Sequence, residues 1–242
     1  MKLSRTILGY SLALLLFVSL ACRRRALVYP AGYHEFAYVT NGKSNTVSVL
    51  DLTSFRNIKT LNVGRNPTGA EINPQKNEVY VVNTESNNVS FIDADRNEVV
   101  ATIGVHRAPY FISVSSDGQR GYVANSGSAN VSVIDLAARR AIAAIAVGRS
   151  PGLARVSPDG NTVVSSNRAD NTISIIDAKN LRVRSTVNVC QSPEDMQILP
   201  DSSKVFIACT GSSQVAVVDL KTDRLLTLLD VGKTPVHLAL KP

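Results

Sequence analysis

Three observations predict an all-β chain, a β-propeller of five four-stranded antiparallel blades: a phrase recurs at one fixed interval, each copy holds four short β-branched runs, and turn residues recur between the runs. Tyr38, Tyr80, Tyr122, Val164 and Phe206 stand 42 residues apart with no insertion. The fourth residue of each unit is Asn41, Asn83, Asn125 and Asn167, then Cys209. The fourteenth is always Asp (Asp51, Asp93, Asp135, Asp177, Asp219), and the thirtieth is always Pro (Pro67, Pro109, Pro151, Pro193, Pro235). So strict a period marks one supersecondary module copied along the chain.

Each unit reads the same way. In the first, runs cover Tyr38 to Thr40, Val47 to Leu50, the region of Ile58 to Val63 and that of Gly69 to Asn73. Stretches such as "NTVSVLD" and "NTISIID" are β-branched with partial alternation and end in polar turn residues, as strands do. Between the fourth run and the next unit lie "SSDGQ" (115–119), "SPDGN" (157–161) or "LPDSS" (199–203). Pro presets φ and Gly tolerates positive φ, so these are tight reversals. Four short strands in about 40 residues make a propeller blade. A lone blade has two apolar faces, and only stacking around an axis buries both. The repeated Asn and Asp mark reversals, where their side chains bond nearby backbone. Recurrence in every unit assigns them to structure.

Residues 1–22 stand apart as an export leader, expected to be helical. Lys2 and Arg5 precede an apolar run from Ile7 to Ala21, then comes Cys22. A basic head, an apolar stretch and a small residue before a cut site form a secretory signal. The run has 15 residues, short of the roughly 20 needed to span a bilayer. Ala21-Cys22 resembles the lipobox of bacterial lipoproteins, although Ser19 stands where that motif prefers Leu; plain secretion and an uncleaved anchor are the alternatives. Residues 23–32 read as a linker opening with Arg23, Arg24 and Arg25. Of the net charge of +7, five charges come from Lys2, Arg5 and these three arginines, leaving +2 from Tyr33 onward. The basic balance therefore belongs to the leader and is no evidence for a nucleic-acid partner.

The motifs "YVTN", "YVAN", "SVIDL", "VGRSPG" and "SPDGN" resemble the YVTN-type β-propeller repeat family over residues 33–242. The resemblance implies kinship with bacterial envelope and surface-layer proteins, lactonase-like enzymes, quinoprotein amine dehydrogenase heavy chains and the haem-binding propeller of certain nitrite reductases. Fold does not choose among them. Such propellers usually have seven blades, whereas units here begin at 38, 80, 122, 164 and 206. Either Val236–Lys241 closes on the first unit to give five complete blades, or the chain is an open arc of a truncated seven-bladed propeller. The abrupt ending at "HLALKP" favours the arc.

The loops that lead into each inner strand hold the candidate site. Two residues before the proline stand Arg65, Arg107, Arg149, Gln191 and Lys233, four of five cationic. A ring of such charges at a channel mouth attracts anions, and His106 and His237 lie in the same loops. The alternative is a solvated basic position. One residue further into the strand than the apolar Ala70, Ile112, Ala154 and Met196 come Glu71, Ser113, Arg155 and Gln197. The apolar set is expected between blades and the polar set beside a wet channel, with Glu71 and Arg155 in a buried polar network. Cys190 and Cys209 replace the usual Gly and Asn within one blade. Strand pairing brings them within reach of a disulfide in an oxidising compartment; two free thiols are the alternative.

Other chemistries find no support. Covalent haem needs a Cys-x-x-Cys-His that is missing, and neither a P-loop nor a dinucleotide fingerprint occurs. "DADRN" (93–97) opens like a calcium loop without its Gly and Glu, and reads better as a hairpin turn. Three scattered His assemble neither a zinc site nor a Ser-His-Asp triad. No catalytic residue, cofactor or metal is therefore expected. The expected protein is an exported scaffold of the cell envelope, in the periplasm or outer membrane or else secreted, anchored by lipid at Cys22 and binding a protein or other envelope macromolecule. The alternatives are a lactonase-like or dehydrogenase-subunit-like enzyme with its site at the channel mouth, and a binder of polyanions, nucleic acid or polysaccharide, through the basic loops.

Overall fold

Within each blade, successive β-branched runs pair, because the tight turn between them returns the chain antiparallel. The computed structural model describes residues 34–241; the leader (1–22) with Cys22 and the linker (23–32) lie outside the described residues. The chain divides into two compact units, Met1–Glu35 and Phe36–Pro242, and every described strand belongs to the second.

The first sheet holds β1 (Phe36–Asn41), β2 (Thr46–Asp51) and β3 (Arg56–Asn62). The second holds β4 (Pro67–Ile72), β5 (Glu78–Asn83), β6 (Asn88–Asp93) and β7 (Glu98–Gly104). The third holds β8 (Pro109–Val114), β9 (Arg120–Asn125), β10 (Asn130–Asp135) and β11 (Arg140–Ala146). In the fourth are β12 (Pro151–Val156), β13 (Thr162–Asn167), β14 (Thr172–Asp177) and β15 (Arg182–Asn188). In the fifth are β16 (Pro193–Ile198), β17 (Lys204–Cys209), β18 (Gln214–Asp219) and β19 (Arg224–Asp230). The fourth run of each sequence unit is thus the inner strand of the following blade. The first sheet has three strands, since no described segment takes the inner place beside β1.

The middle strands β13 and β14 are buried almost throughout, because a blade on either side covers each face. The outer β15 alternates exposed and half-buried residues. Between each pair of neighbouring sheets lies one apolar cluster, such as Ile173, Ile175 and Val187 against Val205, Ile207 and Val218. Each such buried side chain contributes roughly 1.5–3 kcal/mol, so these clusters are the main force holding blade to blade.

The Asp of each unit acts as its position suggests. Asp177 Oδ1 accepts the N–H groups of Lys179 and Asn180 at 2.9 and 3.0 Å, and Asp51, Asp93 and Asp219 do the same in their own turns. "DADRN" is accordingly the turn between β6 and β7. The Asn differs from expectation: its principal partners are side chains across the ladder. Asn167 Nδ2 donates to Thr172 Oγ1 at 2.9 Å and Ser174 Oγ at 3.0 Å. Asn41, Asn83 and Asn125 repeat the pattern.

Of the two expected arrangements the open arc holds, and closure into five complete blades does not. Val236–Lys241 forms no ladder with β1; the Leu238 N–H instead donates to Asp195 Oδ2 on β16 at 3.0 Å. The first and fifth sheets stay unpaired with each other, and the result is an open arc. Val39 on the first blade is 43% exposed, while its counterparts Val81, Val123 and Ile207 are fully buried.

Candidate functional site

The inner strands β4, β8, β12 and β16 lie side by side and form the concave surface of the arc. Ile112, Ala154 and Met196 are fully buried, with Ala70 partly so. Glu71, Ser113, Arg155 and Gln197 line a cavity of about 240 Å³. Burial pushes the Glu71 carboxyl above its ordinary range, opposed by the Arg155 charge. Arg155, however, makes its ion pair with another residue.

The larger concavity, about 450 Å³, sits where the inner strands begin. Its lining is a product of a repeated backbone irregularity. On every inner strand the ladder slips just after the invariant proline: between Pro67 and Gly69, Pro109 and Ile112, Pro151 and Ala154, and Pro193 and Met196. A bulge re-aims the extra residues out of the ladder. Those residues, among them Thr68, Tyr110, Phe111, Leu153, Glu194 and Asp195, wall the cavity, and Val236 and His237 complete it at the equivalent point after Pro235.

Its charges are fixed by one another. Arg155 Nη2 lies 3.6 Å from Asp195 Oδ1, and Arg155 Nε donates to the Met196 carbonyl at 3.0 Å. The same guanidinium stands 5.7 Å over the Phe111 ring centre, a cation–π contact. The Asp195 side chain is 9% exposed and also accepts the Met196 N–H at 2.8 Å. Arg168 Nη1 donates to Glu194 Oε1 at 3.1 Å. His237 Nδ1 is 3.7 Å from Asp195 Oδ2, its ring largely in solvent.

Of the residues expected from the loops, only His237 reaches this cavity. Arg65, Arg107 and Arg149 lie exposed on the adjoining loops and turn toward the hairpin of their own blade. Arg65 Nη2 donates to the Glu85 carbonyl at 3.5 Å, Arg107 Nη2 to that of Gly127 at 2.9 Å, and Arg149 Nε to Asp170 Oδ1 at 2.6 Å. Lys233 is exposed, and His106 lies in a separate hollow beside Ala141 and Ile142. Cys190 and Cys209 are joined by a disulfide with 5.7 Å between Cα atoms. It clamps the loop that enters β16 to the end of β17, next to the cavity residue Thr210. Among the described residues no three His, Cys, Asp or Glu side chains gather as a metal cage. Sequence reasoning passed over Glu194, Asp195, Tyr110 and Phe111. The available signal was the pair after each invariant proline: Thr-Gly, Tyr-Phe, Gly-Leu, Glu-Asp and Val-His.

Residues 23–156 match the model of a family described as YNCE-like β-propeller, and residues 142–237 match that of a seven-bladed β-propeller lactonase family. No curated protein matches the chain. Among solved structures, hydrazine synthase of Kuenenia stuttgartiensis is similar with a TM-score of 0.63 and 26% identity, covering 67% of this chain and 48% of that one. Dihydro-heme d1 dehydrogenase NirN, in complex with DHE, is similar with a TM-score of 0.71 over 86% of this chain and 47% of its own; at 16% identity that is a likeness of fold alone. The chain spans about half the length of both.

Proposed function

The chain belongs to the YNCE-like β-propeller family, and from that premise we propose a binding scaffold of the bacterial cell envelope, exported, anchored by lipid at Cys22, and using the cavity of the inner strands as its ligand site. The observation that carries this reading is the mutual neutralisation of the cavity charges. Arg155 faces Asp195 and Arg168 faces Glu194, and each acid is held in place by its arginine. Groups pinned in this way make a preformed recognition surface; His237, largely in solvent beside Asp195, is not pinned, and the enzyme reading rests on it. The leader supports the address: Lys2 and Arg5, the apolar run and Ala21-Cys22 have the order of a cleaved, acylated signal.

A second reading, a lactonase-like enzyme, is favoured by the lactonase match over residues 142–237, a span that contains Arg155, Arg168, Glu194, Asp195 and His237. One assay separates the two. The full chain is given a panel of lactones of increasing ring size, beside Asp195→Asn and His237→Ala variants. The scaffold reading expects no turnover above buffer; turnover abolished by either substitution replaces it with the enzyme. Lipid attachment is tested by incorporation of labelled palmitate into the wild type and Cys22→Ser, and equal labelling of the two removes the anchor.

A further inference from the structure

We propose that the cavity of the inner strands takes a neutral saccharide, one or two sugar rings held against Tyr110 and Phe111. This rests on the reading of the cavity as a ligand site and adds the chemical class of the ligand. The volume of about 450 Å³ falls within the ordinary range of small-molecule sites, about 300–1,000 Å³.

The electrostatics narrow the choice. Arg155 and Arg168 are each matched by a carboxylate, Asp195 and Glu194. An anion entering the cavity meets those carboxylates, a cation meets the guanidinium groups, and either has to break an existing ion pair to be held. A wholly apolar ligand would strip water from Arg155, Glu194 and Asp195 and return no hydrogen bonds. What remains is an uncharged molecule that is rich in donors and acceptors yet has an apolar face.

A pyranose ring fits both demands. Its hydroxyls each donate and accept, and planar carboxylate and guanidinium groups side by side offer the complementary pattern. Its C–H face needs a flat apolar platform. Tyr110, 44% exposed, and Phe111 and Leu153 beside it supply one. Arg155 covers one side of the Phe111 ring at 5.7 Å, which braces the platform.

The experiment is calorimetric titration of the full chain with cellobiose and chitobiose, and with glucuronic acid and glucosamine as charged counterparts. Neutral disaccharides are expected to bind with Kd on the order of 1 mM or tighter, the charged sugars more weakly. Tyr110→Ala is expected to weaken binding at least about ten-fold, and Glu194→Gln to weaken it too, while Arg65→Gln on the outer loop leaves it unchanged. Tyr110 is a partly exposed bulge residue, so its truncation leaves the blade packing intact. No binding of either neutral sugar at roughly ten times that concentration, or binding insensitive to both cavity variants, overturns the proposal. Failure here with no lactone turnover removes the ligand class and leaves the scaffold standing; turnover in the lactone panel removes the scaffold itself.

Discussion

Cys190 and Cys209 are bonded at the place where two other blades press a glycine against an asparagine. A Cβ added to Gly148 would lie 2.6 Å from Asn167 Cγ, and one added to Gly64 would lie 2.7 Å from Asn83 Cβ. Residues 190 and 209 are the repeat counterparts of those pairs. The fifth blade therefore exchanges a close contact and an asparagine hydrogen-bond centre for a covalent link.

Loss of that link should be felt in stability, and the repeat's own solution should repair it only in part. The bonded cysteines are 19 residues apart, a loop whose closure is worth about 3 kcal/mol. Cys190→Ala with Cys209→Ala is expected to lower the unfolding free energy by that order, read as a lower urea midpoint. Cys190→Gly with Cys209→Asn should recover only a small part of it, since Ala216 stands where other blades place the serine that accepts the asparagine amide. Equal midpoints for wild type and the double alanine variant would remove the staple's role.

The buried asparagine is the corresponding element in the fourth blade. Asn167→Ala deletes two side-chain hydrogen bonds, to Thr172 and Ser174, and leaves both hydroxyls without their donor in a buried strand pair. A loss of about 1–3 kcal/mol is expected, measured by denaturant unfolding. A change near zero would show that the triad is dispensable.

Acid should loosen the blades through their turns. The Thr53 hydroxyl, with the Thr53 and Ser54 N–H groups, holds the Asp51 carboxyl down at about 2. Asp177 and Asp219 are lowered chiefly by the N–H groups of Asn180 and Thr222. Because these folded-state values lie below the unfolded ones, the stability they contribute is complete above about pH 4 and disappears as pH falls toward 2. Thermal melting should therefore be flat above about pH 5 and fall steeply below 4. Asp51→Asn should flatten part of that fall; an unchanged profile would assign acid sensitivity elsewhere.

The cavity ion pair predicts a coupling. Arg155→Gln leaves the Asp195 carboxylate nearly buried with its charge uncompensated, at a cost of about 1–3 kcal/mol, reduced from that of a fully buried pair because Arg155 is partly exposed. Adding Asp195→Asn should restore part of the loss. Strict additivity in the double-mutant cycle would mean the two groups do not interact.

The exposed arginines predict the opposite. Arg107→Gln or Arg149→Gln should leave stability within about 0.5 kcal/mol, since Arg149 is mostly in solvent and such ion pairs contribute little. Any larger effect would mean that these loops are part of the framework.

The sequence by itself determined the blade. Alternation in runs such as "NTISIID", the Asp turns and the proline before each inner strand act between residues close in the chain, so their physics is local and the 42-residue period displays it directly. Repetition also made the Cys190–Cys209 pair legible, because two departures from one pattern fell where strand pairing brings residues together. Only the tertiary structure decided the cavity, and it settled the choice between the open arc that the sequence favoured and a closed ring. Arg155 meets Asp195 across two blades, 40 positions apart in the chain, through the rotation between neighbouring sheets. The carboxylates reach the cavity because a bulge turns them out of the ladder; the proline before the bulge recurs in every unit, but the residues it presents differ from blade to blade, so the period marks the place and not its chemistry. Closure is likewise a question of pairing between the two ends of the chain, where Leu238 bonds to Asp195 on β16 and not to β1, and a local pattern does not encode so distant a choice.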